Sequence, residues 1–389
     1  MSACFHSYLC GRKAAEWLIN MKILVYDVAA EYGGAMTVLR DFYQEVLEKS
    51  PREIQWVFAL SQPVLEARPG VKVLCFPKPK KSHLHRLLFE HLDFPKILAQ
   101  ERPDVVISLQ NMPVARYGGR QLVFLHQSLQ FCEKTFSFLK REERSIALQQ
   151  RIICRIYRWT LPRAEHLFVQ TQWMKRDCMG WLGWPESNIT VVPPQVTPPQ
   201  VRPYTGAASR TFFYPAAADI YKNHSLVVQA CKLLAAEGIT DYRVIFTISP
   251  EEGAVAQGLI ASAQGLPIEI VGRFTYEKIW EYYSSTILLF PSYMETCGLP
   301  LTEAKEAGAW ILACDLPFAR EVLEGYPNKA LFPWDDAHAL AQAMKQALAG
   351  VPWQQPDSCL QETGPGLMEA MLNYLAGEIG QGYFGKNHG

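Results

Sequence analysis

"MKILVYDVAAEYGGAMTVLRDFYQEVL", residues 21–47, begins with a continuous apolar run, passes through a glycine pair, and continues with apolar residues at helical spacing. A short continuous apolar run suits a strand buried on both faces, and recurrence every three or four residues suits a helix packed on one side. The segment is therefore read as a strand, a loop and a helix. Further strands are expected at 54–60, 71–76, 104–109, 121–126, 166–171 and 189–193, mostly separated by helical stretches. Such alternation predicts a parallel sheet covered on both faces.

The alternation stops at residues 193–203, "PPQVTPPQVRP", where five of eleven residues are proline. Proline continues neither a helix nor a central strand, so this stretch reads as a linker. Beyond it strands are expected at 210–215, 242–248, 268–272, 286–292 and 310–314, with helices from about 223 and near 336–349 among those between and after them. The expected fold class is α/β, with two doubly wound, Rossmann-like domains facing each other across a cleft. The boundaries drawn are an extension over 1–20, a first domain over 21–195, a linker over 196–205, a second domain over 206–350, and a C-terminal helix and tail over 351–389. The 389-residue length agrees, because single cores stop growing near roughly 250–300 residues. In such sheets ligands bind beyond the carboxyl ends of the strands, so the cleft is the expected site.

Hydrophobic content of 49% with 20% charged residues is globular composition, and a formal net charge of zero argues against a dedicated nucleic-acid binder. The charge is unevenly spread: residues 21–200 carry 24 Lys/Arg against 17 Asp/Glu, and residues 201–389 carry 12 against 20. A basic first half suits an anionic acceptor or membrane surface, although uneven solvated faces look the same. The ten cysteines form no CxxC pair, so neither a zinc knuckle nor a disulfide framework is indicated. No apolar run approaches the ~20 residues of a membrane span, and Arg12 and Lys13 interrupt any signal-peptide core, so a cytoplasmic location is expected.

Chemistry concentrates in "SYMETCGLPLTEAKEAG", residues 292–308. The preceding strand ends at Pro291 and Ser292 and a helix is expected near Gly298 or Leu299, which puts Glu295 in the loop and Glu303 one turn inside the helix. The free amides of Thr296, Cys297, Gly298 and Leu299 would then face an anion, and Gly298 allows a phosphate close to the backbone. Glu303 suits a diol such as ribose, and Glu295 the hydroxyls of a sugar; two acids that merely favour a helix start would read the same way. Gly33 and Gly34 have strand–loop–helix placement but lack a GxGxxG pattern, so no dinucleotide fingerprint is present and a tight turn remains an equal reading. His126 ends a strand, where histidines serve structural as well as catalytic roles.

The spacing of the two glutamates in "ETCGLPLTE", after "LLFPS" and before "AKEAG", resembles the signature of retaining family-4 glycosyltransferases, which have the GT-B fold. "HLFVQTQWMKRDC" and "FFYPAAADIYKNHSLVVQAC" resemble other segments of that family, and the resemblance covers about residues 21–350. "YPAAADIYKNH" and "SLQN" are most similar to the branch that builds bacterial capsule and O-antigen chains.

The resemblance implies that Glu303 binds the nucleotide ribose, Glu295 contacts the donor sugar, Lys222 holds the diphosphate, and His126 lies near the reaction centre. Many family members have an arginine five residues before the lysine, where this chain has Ala217; Arg273 is the candidate replacement. The implied donor is a nucleoside diphosphate sugar, with no other cofactor and no metal, in keeping with the absence of any DxD triplet. The implied acceptor is a glycan or polyprenyl-linked chain. Residues 138–163 place arginines and aromatics among aliphatics at helical spacing, which suits either contact with an anionic membrane or a helix packed on the first domain. A sugar-nucleotide epimerase and a non-catalytic nucleotide-sugar binder remain as alternatives, and a dehydrogenase is the weakest.

Overall fold

The computed structural model describes residues 20–30, 33–200, 204–205, 209–350, 352–355 and 364–385. The expected extension, apart from Asn20, and residues 201–203 of the expected linker lie outside the described residues.

The first sheet has seven strands: β1 (Lys22–Asp27), β2 (Gln55–Leu60), β3 (Val71–Cys75), β4 (Val105–Ser108), β5 (Arg120–Leu125), β6 (His166–Val169) and β7 (Ile189–Val191). Its helices are α1 (Gly33–Lys49), α2 (His83–Leu88), α3 (Phe94–Glu101), α4 (Arg144–Leu148), α5 (Cys154–Thr160) and α6 (Gln172–Leu182). The second sheet has six strands: β8 (Thr211–Tyr214), β9 (Arg243–Phe246), β10 (Ile268–Ile270), β11 (Ile287–Phe290), β12 (Ile311–Cys314) and β13 (Lys329–Phe332). Around it lie α7 (His224–Ala236), α8 (Ala254–Ser262), α9 (Tyr276–Tyr283), α10 (Leu299–Glu306), α11 (Pro317–Val322) and α12 (Ala337–Ala349), and the chain ends in α13 (Leu367–Gly385).

All strand pairs are parallel, in the orders β3-β2-β1-β4-β5-β6-β7 and β10-β9-β8-β11-β12-β13. Both sheets are doubly wound, as expected. Burial explains the continuous apolar strands: Ile23, Leu24, Val25 and Tyr26 are all 0% exposed, so both faces of β1 are covered. The order reverses between β1 and β4, and again between β8 and β11. Such switch points splay the connecting helices apart and open a crevice at the strand carboxyl ends.

β13 was not anticipated, because its residues Lys329, Ala330 and Leu331 are only half-buried and give no clear hydrophobic period. The C-terminal helix expected within 351–389 spans Leu367–Gly385 and packs on the first sheet. Met368, Met371 and Leu375 join a core made by β1, β2 and α1 of the first sheet, and the Tyr374 ring lies 4.0 Å from that of His166. Glu45 of α1 accepts from the amides of Met368 (2.9 Å) and Glu369 (3.2 Å), satisfying donors that a helix start leaves open. No helix among the described residues is long and apolar enough to cross a membrane.

Candidate active site

The loops after β8 and β11 meet at the switch point of the second sheet. Lys222 ends the first loop and Glu295 lies in the second; the Lys222 ammonium is 2.6 Å from Glu295 Oε1. Ser292 donates to the same carboxylate oxygen at 2.7 Å. The lysine is aimed by its neighbour: Asn223 adopts a left-handed conformation (φ 59°) that asparagine tolerates, and its amide donates to the carbonyls of Pro291 (3.2 Å) and Trp334 (2.8 Å). The Tyr214 hydroxyl adds a bond to the Lys222 carbonyl at 2.8 Å. Asn223, Ser292 and Tyr214 were missed in the sequence; only the asparagine ahead of a helix carried a signal, as a residue suited to positive φ.

After Glu295 the chain turns through Gly298 (φ 65°) into α10. A Cβ there would lie 3.2 Å from Leu301 Cδ1 and 3.3 Å from the Phe290 ring, so glycine is required by both conformation and space. Pro300 in the first turn costs no hydrogen bond, since early helix amides have no intrahelical partner. Cys297 is buried and burial pushes its thiol up to about 12, so it offers a backbone amide rather than a nucleophile. Glu303 is half-buried and accepts from the Tyr283 hydroxyl at 2.9 Å; burial raises its carboxyl above the ordinary value, and that hydrogen bond opposes the rise.

His126 follows β5 in the first sheet. Its ring stacks on Phe124 (5.3 Å, 12°), and Nε2 lies 2.9 Å from the Leu109 carbonyl. A carbonyl only accepts, so Nε2 carries the proton and Nδ1 is left as an acceptor. Burial lowers the imidazole's pKa, which keeps the ring neutral at pH 7. The Asn111 side chain accepts from the His126 amide at 2.8 Å.

A cleft of about 520 Å³ brings His126, Glu295 and Thr296 together from both domains. Its walls include Glu142, Ser145 and Gln149 from the first domain and Asp219 and Glu252 from the second. No lysine or arginine is among the described residues that line it, so its polar lining suits hydroxyls better than phosphate. Lys222, paired with Glu295, does not line the cleft, and of residues 296–299 only Thr296 does.

Gly33 (φ 61°) and Gly34 open α1, with open space where a Cβ would stand, and neither lines this cleft. Arg273 does not itself line the cleft: its side chain is 73% exposed, and its Nε lies 3.7 Å from Glu252, which does. Ala217 is exposed, and the cleft-lining residues that follow it, Ala218 and Asp219, bring no cation.

Two facing doubly wound parallel sheets with a cleft between them define the GT-B fold class. Two family descriptions match, "Glycosyltransferase Family 4" over residues 32–200 and "Glycosyl transferases group 1" over residues 206–355. The chain belongs to the group 1, family 4 glycosyltransferases, retaining enzymes that transfer a sugar from a nucleotide sugar.

Among solved structures, a sucrose-phosphate synthase from Thermosynechococcus elongatus superposes with a TM-score of 0.65 at 18% identity, covering 93% of this chain and 98% of that one. The glycosyltransferase WaaG, involved in lipopolysaccharide biosynthesis, gives 0.62 at 14% identity, covering 92% and 99%. The lipopolysaccharide outer core galactosyltransferase WaaB gives 0.61 at 16% identity, with the same coverage of 92% and 99%. At these identities the likeness is one of fold. No curated protein matches the chain at a significant level of sequence similarity.

Proposed function

We propose that this enzyme moves a hexosyl or deoxyhexosyl group from a nucleoside diphosphate sugar onto a growing bacterial surface polysaccharide or a lipid-linked acceptor, with retention and without a metal. The observation that carries the donor site is the Lys222–Glu295 pair at the β8/β11 switch point, beside the amides opened by Gly298. Breaking the bond between the anomeric carbon and the diphosphate leaves negative charge on the departing oxygen. Lys222 and the preorganised amides stabilise it, a contribution that is usually the largest in such reactions. Glu303 holds the ribose, and Glu295 accepts from sugar hydroxyls once Lys222 turns to the diphosphate. A double displacement needs a carboxylate on the sugar face opposite the leaving group. Glu295 is assigned to hydroxyls instead, so the acceptor attacks on the face of departure and the leaving phosphate takes its proton. His126 Nδ1 accepts from a sugar hydroxyl at the cleft.

A lipid-linked acceptor fits a further feature. Ten of the twelve large hydrophobic side chains that are exposed among the described residues lie on 84–92 and 138–159, led by Leu139 (91% exposed) and Trp159 (74%). The two runs adjoin, since Arg86 and Tyr157 interact electrostatically. Arg151 and Arg163 lie over the rings of Phe138 (5.1 Å) and Trp159 (5.0 Å). Apolar side chains ringed by guanidinium groups match an anionic bilayer surface. Glu142, Ser145 and Gln149 of the second run line the cleft, so the membrane face and the acceptor side share one wall.

The test is thermal-shift screening against UDP-, GDP- and dTDP-sugars, followed by transfer assays. A ligand at 100 times its Kd stabilises by ~2.7 kcal/mol. Glu295→Ala that binds donor but no longer transfers it supports the enzyme. Turnover of the donor without any acceptor supports the epimerase, and undiminished transfer by the variant would remove Glu295 from the mechanism.

A further inference from the structure

Thr296 sits between Glu295 and the amides assigned to the diphosphate, yet its polar groups are held by the other domain. Its carbonyl accepts from the Trp173 indole N–H at 2.7 Å and from the Thr171 hydroxyl at 3.2 Å. Its own hydroxyl donates to Gln170 Oε1 at 2.6 Å. Gln170, Thr171 and Trp173 are buried, at 7%, 4% and 6% exposure, where β6 of the first sheet turns into α6. The second domain reciprocates: Glu321 of α11 accepts from the amides of Gln172 and Trp173, each at 2.7 Å, and caps the start of α6. The two domains therefore hold each other around the β6–α6 turn through five hydrogen bonds, three of them to the donor loop and two to Glu321 of α11.

A trans peptide is planar, with its C=O and N–H pointing in opposite directions. Anchoring the Thr296 carbonyl on Trp173 and Thr171 thus also sets the direction of the Cys297 amide, away from the first domain. A bond made by a buried indole N–H to a carbonyl is costly to leave unmade, so the orientation is well defined.

We propose that Gln170, Thr171 and Trp173 are positioning residues for the donor site: they orient the Thr296–Cys297 peptide so that its amide faces the diphosphate only while the domains are apposed. The inference rests on the donor reading above. It goes beyond that reading in making the donor site depend on residues of the first domain that touch neither nucleotide nor sugar. Separating the domains releases the Thr296 carbonyl and with it the fixed amide, which links donor affinity to domain apposition.

The experiment uses the full-length chain and whichever of UDP, GDP and dTDP most raises the wild-type Tm. Trp173→Phe removes the N–H and keeps an aromatic ring, and Thr171→Val removes the hydroxyl at nearly constant shape; Thr171→Ser restores it. The double variant Trp173→Phe/Thr171→Val is expected to weaken nucleoside diphosphate binding and raise donor KM by about 10-fold, the equivalent of ~1.4 kcal/mol. Acceptor KM is expected to stay within 2-fold, and Thr171→Ser to bind like the wild type. Glu303→Ala and Lys222→Ala serve as controls for the donor reading. If they weaken binding and the double variant does not, the positioning role is wrong and the donor site stands. If donor and acceptor KM rise alike in the double variant, the three residues act only on packing and the proposal fails. If none of the three diphosphates stabilises the wild type, or the controls have no effect, the donor reading and the inference built on it fall together.

Discussion

Lys222 and Glu295, 73 residues apart in the chain, form an ion pair at 2.6 Å with both side chains largely removed from water, at 19% and 15% exposure. Two charges that neutralise each other in the ligand-free enzyme are not idle. On the donor reading proposed above, an arriving diphosphate would compete for the lysine and a sugar's hydroxyls would replace it at the carboxylate.

Lys222→Ala removes the cation paired with Glu295 and is expected to lower kcat by about 100- to 1,000-fold, the usual cost of deleting one donor to developing negative charge. Single-turnover transfer assays check it. Rates within a few-fold of wild type would mean that another group stabilises the leaving diphosphate.

Gly298→Ala forces a Cβ against Leu301 and Phe290 at a positive φ. The expected loss is about 1–3 kcal/mol of stability, with weaker donor binding, since the loop must shift to relieve the strain. Chemical denaturation measures the first effect and nucleotide titration the second. An unchanged midpoint would show that the turn tolerates a side chain.

Glu303 ionises less readily than an ordinary glutamate because it is buried. The protonated form is a poorer acceptor for a ribose diol, so on the proposed donor reading donor KM is expected to rise as pH falls, at a higher pH than an ordinary glutamate would require. Glu303→Gln should have a raised KM at neutral pH and a flatter dependence below it. A variant that keeps the wild-type pH profile would assign that dependence to another group.

Asp27, at the end of β1 and 2% exposed, accepts from the amides of Ala29 (3.2 Å) and Ala30 (3.0 Å). Burial raises its carboxyl from 3.8 to about 6 despite those bonds and the nearby charges of Arg86 and Lys80. A raised folded-state value means that the native state binds the proton more tightly. The resulting stability is complete below the unfolded value of 3.8 and is lost as pH rises through about 6. Asp27→Asn keeps an acceptor without the charge, so it is expected to be more stable than wild type above pH 6 by about 1–3 kcal/mol, with the difference vanishing near pH 4. Denaturation midpoints across that window decide it; a variant less stable at pH 8 would show that the charge is favourable where it stands.

Trp159→Ser combined with Leu139→Ser is expected to reduce co-sedimentation with phosphatidylglycerol vesicles several-fold. Reversing Arg151, Arg155 and Arg158 to glutamate should abolish it, and neutral phosphatidylcholine vesicles should bind weakly. Binding that ignores salt and lipid charge alike would argue against an anionic surface as partner.

Much of the architecture was legible locally. Continuous apolar strands such as β1 and β11 announced burial on both faces, the prolines of 193–203 separated two series of alternation, and the start of α10 was expected near Gly298 or Leu299, where it lies. β13 was not legible, because half-buried edge residues blur the period on which such reading depends. The site was legible only in pieces. Glu295 and Glu303 were found from one loop and helix, but their partners, Lys222 with Ser292 for the first and Tyr283 for the second, follow from packing.

Arg273 was offered as the substitute for the arginine absent at Ala217; in the fold its side chain is largely exposed and lies beside Glu252, a residue of the cleft wall. The C-terminal helix was read from the sequence only as a helix with a tail, and its packing beside Glu45 and His166 of the first domain comes from the fold.

Residue order alone determined that there would be two parallel α/β units, because burial on two faces and backbone restriction by proline and glycine are written in neighbouring residues. Which residues would share a site was decided by strand order. β8 and β11 lie side by side although two strands and three helices intervene between them in the chain, and that adjacency puts Lys222 against Glu295. The hold of Trp173 on Thr296 comes from the apposition of two separately folded domains, which depends on their surfaces and leaves no mark in the hydrophobic period of either.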